Sequence, residues 1–180
     1  MIKINTQMLS TIFLMTVSVS MIAAINLNQA FAQNPSNPDP NVLKGSITST
    51  SNNGNTTEPA WILGGVYKIT DINSSSPVLN TTFYMTQIDG SAEHTHSIYD
   101  LKLSGDPIVD SNSNSTTFNG TTTVTLKDGP VTNVPTQINL LDNSAIAISV
   151  DGNMTNDHFG TTPIYGTQHL ICVEIPELCA

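Results

Sequence analysis

Residues 82–103 read TFYMTQIDGSAEHTHSIYDLKL. Phe83 and Met85 alternate with Tyr84 and Thr86, the period of a half-buried strand over Thr82–Asp89. Asp89-Gly90 is a hairpin turn signal, because glycine adopts the positive φ that tight hairpin turns demand. Ala92–Leu103 then returns antiparallel. Working outward, the same grammar repeats. Trp61–Thr70 (WILGGVYKIT) precedes it as a strand, with Gly64-Gly65 marking a bulge or a close backbone approach. Phe118–Lys127, Val131–Leu141 and Ala145–Val150 follow, separated by Asp128-Gly129-Pro130 and Asp142-Asn143. Pro135 argues for an edge strand or a bulge in the second of these. Met154–Gly166 reads as an irregular loop and His169–Ile175 as a last strand. No stretch has the 3.6-residue period of a useful amphipathic helix. The expected fold is all-β: an antiparallel β-sandwich or jelly-roll-like barrel of about seven to eight strands.

Outside this domain the composition changes. Residues 1–32 carry one charged side chain, Lys3, then an apolar stretch, and close on Ala30-Phe31-Ala32, the pattern of a secretory signal peptide. The stretch is broken by Ser10, Thr11, Thr16, Ser18 and Ser20, so a spanning helix of about 20 apolar residues is not expected. Residues 33–58 are rich in Pro, Asn, Ser and Thr and read as a flexible linker, with at most a short edge strand at Leu43–Ile47. Residues 59–180 read as a single β domain. The sequence thus predicts export to the cell surface or another extracytoplasmic space, with no integral membrane segment after cleavage.

The chain carries a net charge of −9 and has no arginine. Loss of Lys3 with the leader makes the remainder more acidic still. Nucleic-acid binding needs a basic footprint, and none exists. Cys172 and Cys179 are the two cysteines, and in an exported chain they read as a disulfide tacking down the tail. Asn55, Asn73, Asn80, Asn114, Asn119 and Asn153 each open an Asn-x-Ser/Thr sequon, so a glycoprotein is expected where the host has the machinery.

Chemistry concentrates in four histidines. His94 and His96 lie two apart on the predicted strand, which puts both rings on one face. That face continues with Ile98, Asp100 and Lys102 and reads as mixed and partly wet; Thr95, Ser97, Tyr99, Leu101 and Leu103 read as the packed face. Two adjacent imidazoles are half a site for Cu or Zn, and the remaining donors must come from elsewhere. His169 and then His158 are the candidates, with Glu93, Asp89 and Asp157 as carboxylate ligands or supporting partners. The competing reading is a polar surface pair on a metal-free, glycosylated, envelope-associated protein. No nucleophile elbow or phosphate-cradling loop is present, so the chain reads as a binder rather than an enzyme; a reaction, if any, would be metal-dependent.

Three resemblances follow from these residues. Gly90-Ser-Ala-Glu-His94-Thr-His96 with Asp100 resembles the first cupin motif, and Gly160 to His169 is similar to the second. That resemblance implies His94, His96 and His169 as ligands, although the spacings differ from the family pattern. The H-x-H on a β-sandwich also resembles copper-zinc superoxide dismutases, with a different glycine pattern and disulfide placement. WILGG, IDGSAEHTHSI and HFGTTPIYG together resemble small secreted proteins of ammonia-oxidising archaea. This last resemblance implies a location and a shared site for the H-T-H and H-F-G segments, and no activity.

Overall fold

A computed structural model describes residues 39–52, 61–142 and 144–168. Among the described residues nine strands form one antiparallel sheet: β1 (Val42–Ser51), β2 (Trp61–Thr70), β3 (Val78–Gln87), β4 (His94–Leu103), β5 (Ile108–Asp110), β6 (Ser115–Leu126), β7 (Gly129–Leu141), β8 (Ala145–Val150) and β9 (Ile164–Thr167). Each main strand pairs with its neighbour in sequence, β4 pairs with β6, and β9 returns to β1. The result is a closed eight-strand barrel, with the short β5 attached to β6. The order is an up-and-down meander, without the crossovers of a jelly roll. Turn chemistry accounts for this. At Asp89-Gly90 the Asp89 carboxylate accepts from Ser91 N and Oγ, and Gly90 takes φ +80. At the β6–β7 turn Gly129 takes φ +117. Short turns of this kind can join only adjacent antiparallel strands.

The inward side chains fill the barrel as one core that includes Ile47, Leu63, Phe83, Ile98, Val134, Ile138 and Ile148. Three departures from the sequence expectation shape the site. First, the short edge strand expected at Leu43–Ile47 is a ten-residue strand, β1, bonded on both sides to β2 and β9, so the barrel takes up more of the segment expected to be linker. Threonine and serine there satisfy the outward face, and only Gly45, Ile47 and Ser51 are buried. Second, Ile164–Gly166, expected as the end of a loop, belong to β9, the strand that bridges β1 and β8; the expected strand at 169–175, with Cys172 and Cys179, lies outside the described residues. Third, Pro135 is inside a central strand rather than on an edge, and the bulge it signalled lies just before it, where the β6–β7 register shifts and Asn133 takes φ +57. The Pro135 carbonyl accepts from Asp151 N at 2.9 Å. The missing N–H points to the same side, one residue beyond the last β7–β8 pair at Thr136–Val150, where no ladder partner is required.

Gly64-Gly65 causes no bulge; the register on both sides is continuous. A Cβ on Gly65 would lie 2.5 Å from Phe83 Cα, whereas one on Gly64 would meet nothing within 4 Å. The adjacent glycines therefore have opposite expected outcomes. Gly65→Ala should destabilise by about 1–3 kcal/mol, because backbone cannot yield as a side chain can. Gly64→Ala should stabilise by about 0.5–1 kcal/mol, by restricting the unfolded chain and favouring the strand. Denaturant midpoints of the two variants check this.

Candidate metal centre

His94 and His96 sit at the start of β4, at one mouth of the barrel. Both rings face inward, and His96 is 3% exposed. The packed face of β4 is thus the histidine face, the reverse of the expectation. Asp100 explains the reversal. It takes φ +57, and the β4–β6 register shifts between Tyr99 and Lys102. This bulge exchanges the faces, so His94, His96 and Ile98 point inward before it and Leu101 after it. Strict alternation carried the buried leucines' parity back to the histidines and placed them outside.

The third ring arrives from the β8–β9 connection, which folds over the same mouth. Asp151 caps a four-residue helix, α1 (Gly152–Thr155), by accepting from Met154 N. Asn156 and Asp157 both take left-handed φ, at +54 and +51, a region where Asn and Asp are enriched. Asp157 N closes on Gly152 O at 2.8 Å, and the chain doubles back. His158 follows at once, and Phe159 inserts its ring into the core at 3% exposure. Ser51 Oγ donates to Phe159 O at 2.6 Å in a buried bond, and this ties the connection to the end of β1.

His158 Nε2 lies 2.9 Å from His96 Nε2 and 3.2 Å from His94 Nε2. His94 Nδ1 is 2.7 Å from the Ala92 carbonyl, and His96 Nδ1 is 2.6 Å from the Thr125 carbonyl. A carbonyl oxygen only accepts, so each Nδ1 carries the proton and each Nε2 presents a lone pair. Two acceptors therefore face His158 Nε2, which can supply at most one proton between them. Three donors on one tetrahedral ion with bonds of about 2.0–2.1 Å stand about 3.3 Å apart, close to the two separations here. Backbone carbonyls hold the rings as supporting partners commonly hold metal-ligating histidines. Thr125 does so where the β4–β6 ladder runs out: its Oγ1 also takes Ser97 N at 2.7 Å. Ala92 offers its carbonyl from φ +56, backbone strain located at the site.

Aromatic rings enclose the cluster. Trp61 lies edge-on to His94 at 5.2 Å, and Phe159 edge-on to His96 at 5.1 Å and to His158 at 5.2 Å; Phe83 is 5.9 Å from His96. Burial in this shell lowers the pKa of His158 from 6.5 to about 4, with His96 and His94 adding repulsion. Burial also lowers that of His96, partly offset by its bond to Thr125. Burial thus favours the neutral form of His96 and His158, the form that binds metal.

A pH dependence follows for the metal-free protein. Between 6.5 and about 4 the unfolded chain takes up a proton that folded His158 refuses. Stability should be full above the upper value and fall as pH drops towards the lower. Thermal midpoints in chelator at about pH 7 and about pH 4.5 should differ more in the parent than in His158→Ala. Equal differences would show that His158 is not responsible.

Of the four histidines expected from the sequence, the structure joins His94, His96 and His158. These three form the group able to hold a metal among the described residues. His169 lies outside the described residues; Gln168 before it bonds to Ser144 and Ala145 at the opposite mouth. The carboxylates of Asp89, Glu93 and Asp157 are not in the cluster. Sequence reading missed the two carbonyls, which leave no trace in residue identity, and the aromatic neighbours Trp61 and Phe83; Phe159 lies in the H-F-G segment expected to share the site. Comparison of the chain with protein-family profiles, curated proteins and solved structures gives no match. The geometry alone therefore carries the functional reading.

Proposed function

We propose that this protein binds one copper or zinc ion through Nε2 of His94, His96 and His158, outside the cytoplasm. The supporting observation is the convergence of three imidazole nitrogens, two of them with the proton fixed on the far side of the ring. Neutral imidazole is a good donor to both Zn(II) and Cu(II), and the set contains no thiolate to favour Cu(I). The extracytoplasmic location is supported by the signal-like residues 1–32. Metal analysis of the purified chain tests the binding. One ion per chain after exposure to copper and zinc is expected in the parent, and none in the His94→Ala/His96→Ala double variant. No retained metal in the parent after both ions are offered would remove the reading.

A second reading, a metal-free glycosylated surface protein, is favoured by one observation: Asn73, Asn80, Asn114 and Asn153 are exposed. Asn119 is half-buried in β6 and bonds to Gln137, and Asn55 lies outside the described residues. Glycans and a metal are compatible, so the double variant discriminates the two readings and glycan mass does not.

A further inference from the structure

The cluster has a direction. His96 is at the floor, buried against Phe83 and Phe159, while His94 and His158 are only half-buried and lie towards solvent. Among the described residues the group contains three ligands, with no carboxylate or thiolate. Three protein donors with a remaining position is the arrangement of catalytic rather than structural zinc sites, which close with four. A neutral ligand set leaves the ion's double charge undiminished, which lowers the pKa of a coordinated water to about 7.

The surroundings bear on which substrates suit the site. Phe83 and Phe159 are buried behind His96, and Trp61, edge-on to His94, is the apolar ring beside the outer histidines. Glu93 and Asp157, both exposed, directly adjoin the two outer histidines in sequence. Their negative charge beside the half-buried rings favours uncharged over anionic substrates, while a small anion can still be held by the ion itself. No acid is in the cluster to protonate a leaving group, which suits a reaction in which nothing leaves.

Resting on the metal-binding reading, we infer that the zinc form adds hydroxide to small uncharged carbonyl compounds, carbon dioxide being the simplest. Water bound at the fourth position gives a proton to buffer. The resulting hydroxide uses an oxygen pair to form a C–O bond, and one C=O π pair moves onto its own oxygen. With carbon dioxide the product is bicarbonate; water replaces it, and no oxidant or reductant is consumed.

The test uses the purified chain loaded with zinc, with zinc content measured on the same sample. Carbon dioxide hydration is followed by stopped flow with a pH indicator. The expected rate exceeds that of an equal concentration of free zinc by about tenfold or more, rises with pH through about 7, and falls on addition of azide. The cobalt form should show visible bands that shift with azide. One zinc per chain with a rate no greater than free zinc would overturn this inference and leave metal binding standing. Failure to retain zinc would overturn this inference, and failure to retain either zinc or copper would overturn both.

Discussion

Adding zinc or copper to the metal-free protein should raise its thermal midpoint by roughly ten degrees once free metal is about a hundredfold above Kd. That excess corresponds to about 2.7 kcal/mol, because the ion binds the folded chain and not the unfolded one. The ligands lie 62 and 64 residues apart in sequence, so unfolding disperses them. His158→Ala should abolish the shift while costing the metal-free protein little. It removes a half-buried ring whose neutral form is merely tolerated and leaves the barrel strands paired. Scanning calorimetry of parent and variant, with and without metal, reads both effects. A full shift in His158→Ala would mean that the β8–β9 connection contributes no ligand.

The second large effect is expected at Phe159. Its ring packs 5.8 Å from Phe83 and against both His96 and His158, at 3% exposure. Replacement of a buried phenylalanine by alanine costs about 3–5 kcal/mol. Here the loss falls on the connection over the mouth, which is held otherwise by the Ser51 bond and the α1 cap. In Phe159→Ala, amides of residues 152–160 should exchange much faster while those of β2, β3 and β7 stay protected. Metal affinity should drop even though all three ligands remain, because His158 is then no longer positioned in advance. Hydrogen exchange and a metal titration on one preparation check this. A uniform loss of protection would show that the connection is integral to the barrel's cooperativity.

The sequence was most legible where local rules decide the outcome. Strand β2 and strand β8 fall where the period-two pattern put them, because each runs straight between turn residues. The hairpin at Asp89-Gly90 and the same-face placement of His94 and His96 follow from chemistry within a few residues. Reading failed where a local ambiguity is resolved by distant partners. Asp100 can continue a strand or enter the left-handed region, and only pairing with β6 selects the bulge that turns the histidines inward. Residues 42–51 look like linker because serine and threonine suit linkers and outward strand faces alike; β2 and β9 make them a strand.

By itself, then, the chain dictated an all-β antiparallel architecture, its turns and the imidazole pair, since alternation and turn propensity act over short stretches. The packed interior decided which face of β4 is buried, that the eight strands close into a meander, and that His158 meets the pair. Those outcomes depend on barrel closure, which brings the β8–β9 connection over the mouth where β4 begins. No spacing along the chain encodes that approach, because it arises from register summed around the whole sheet.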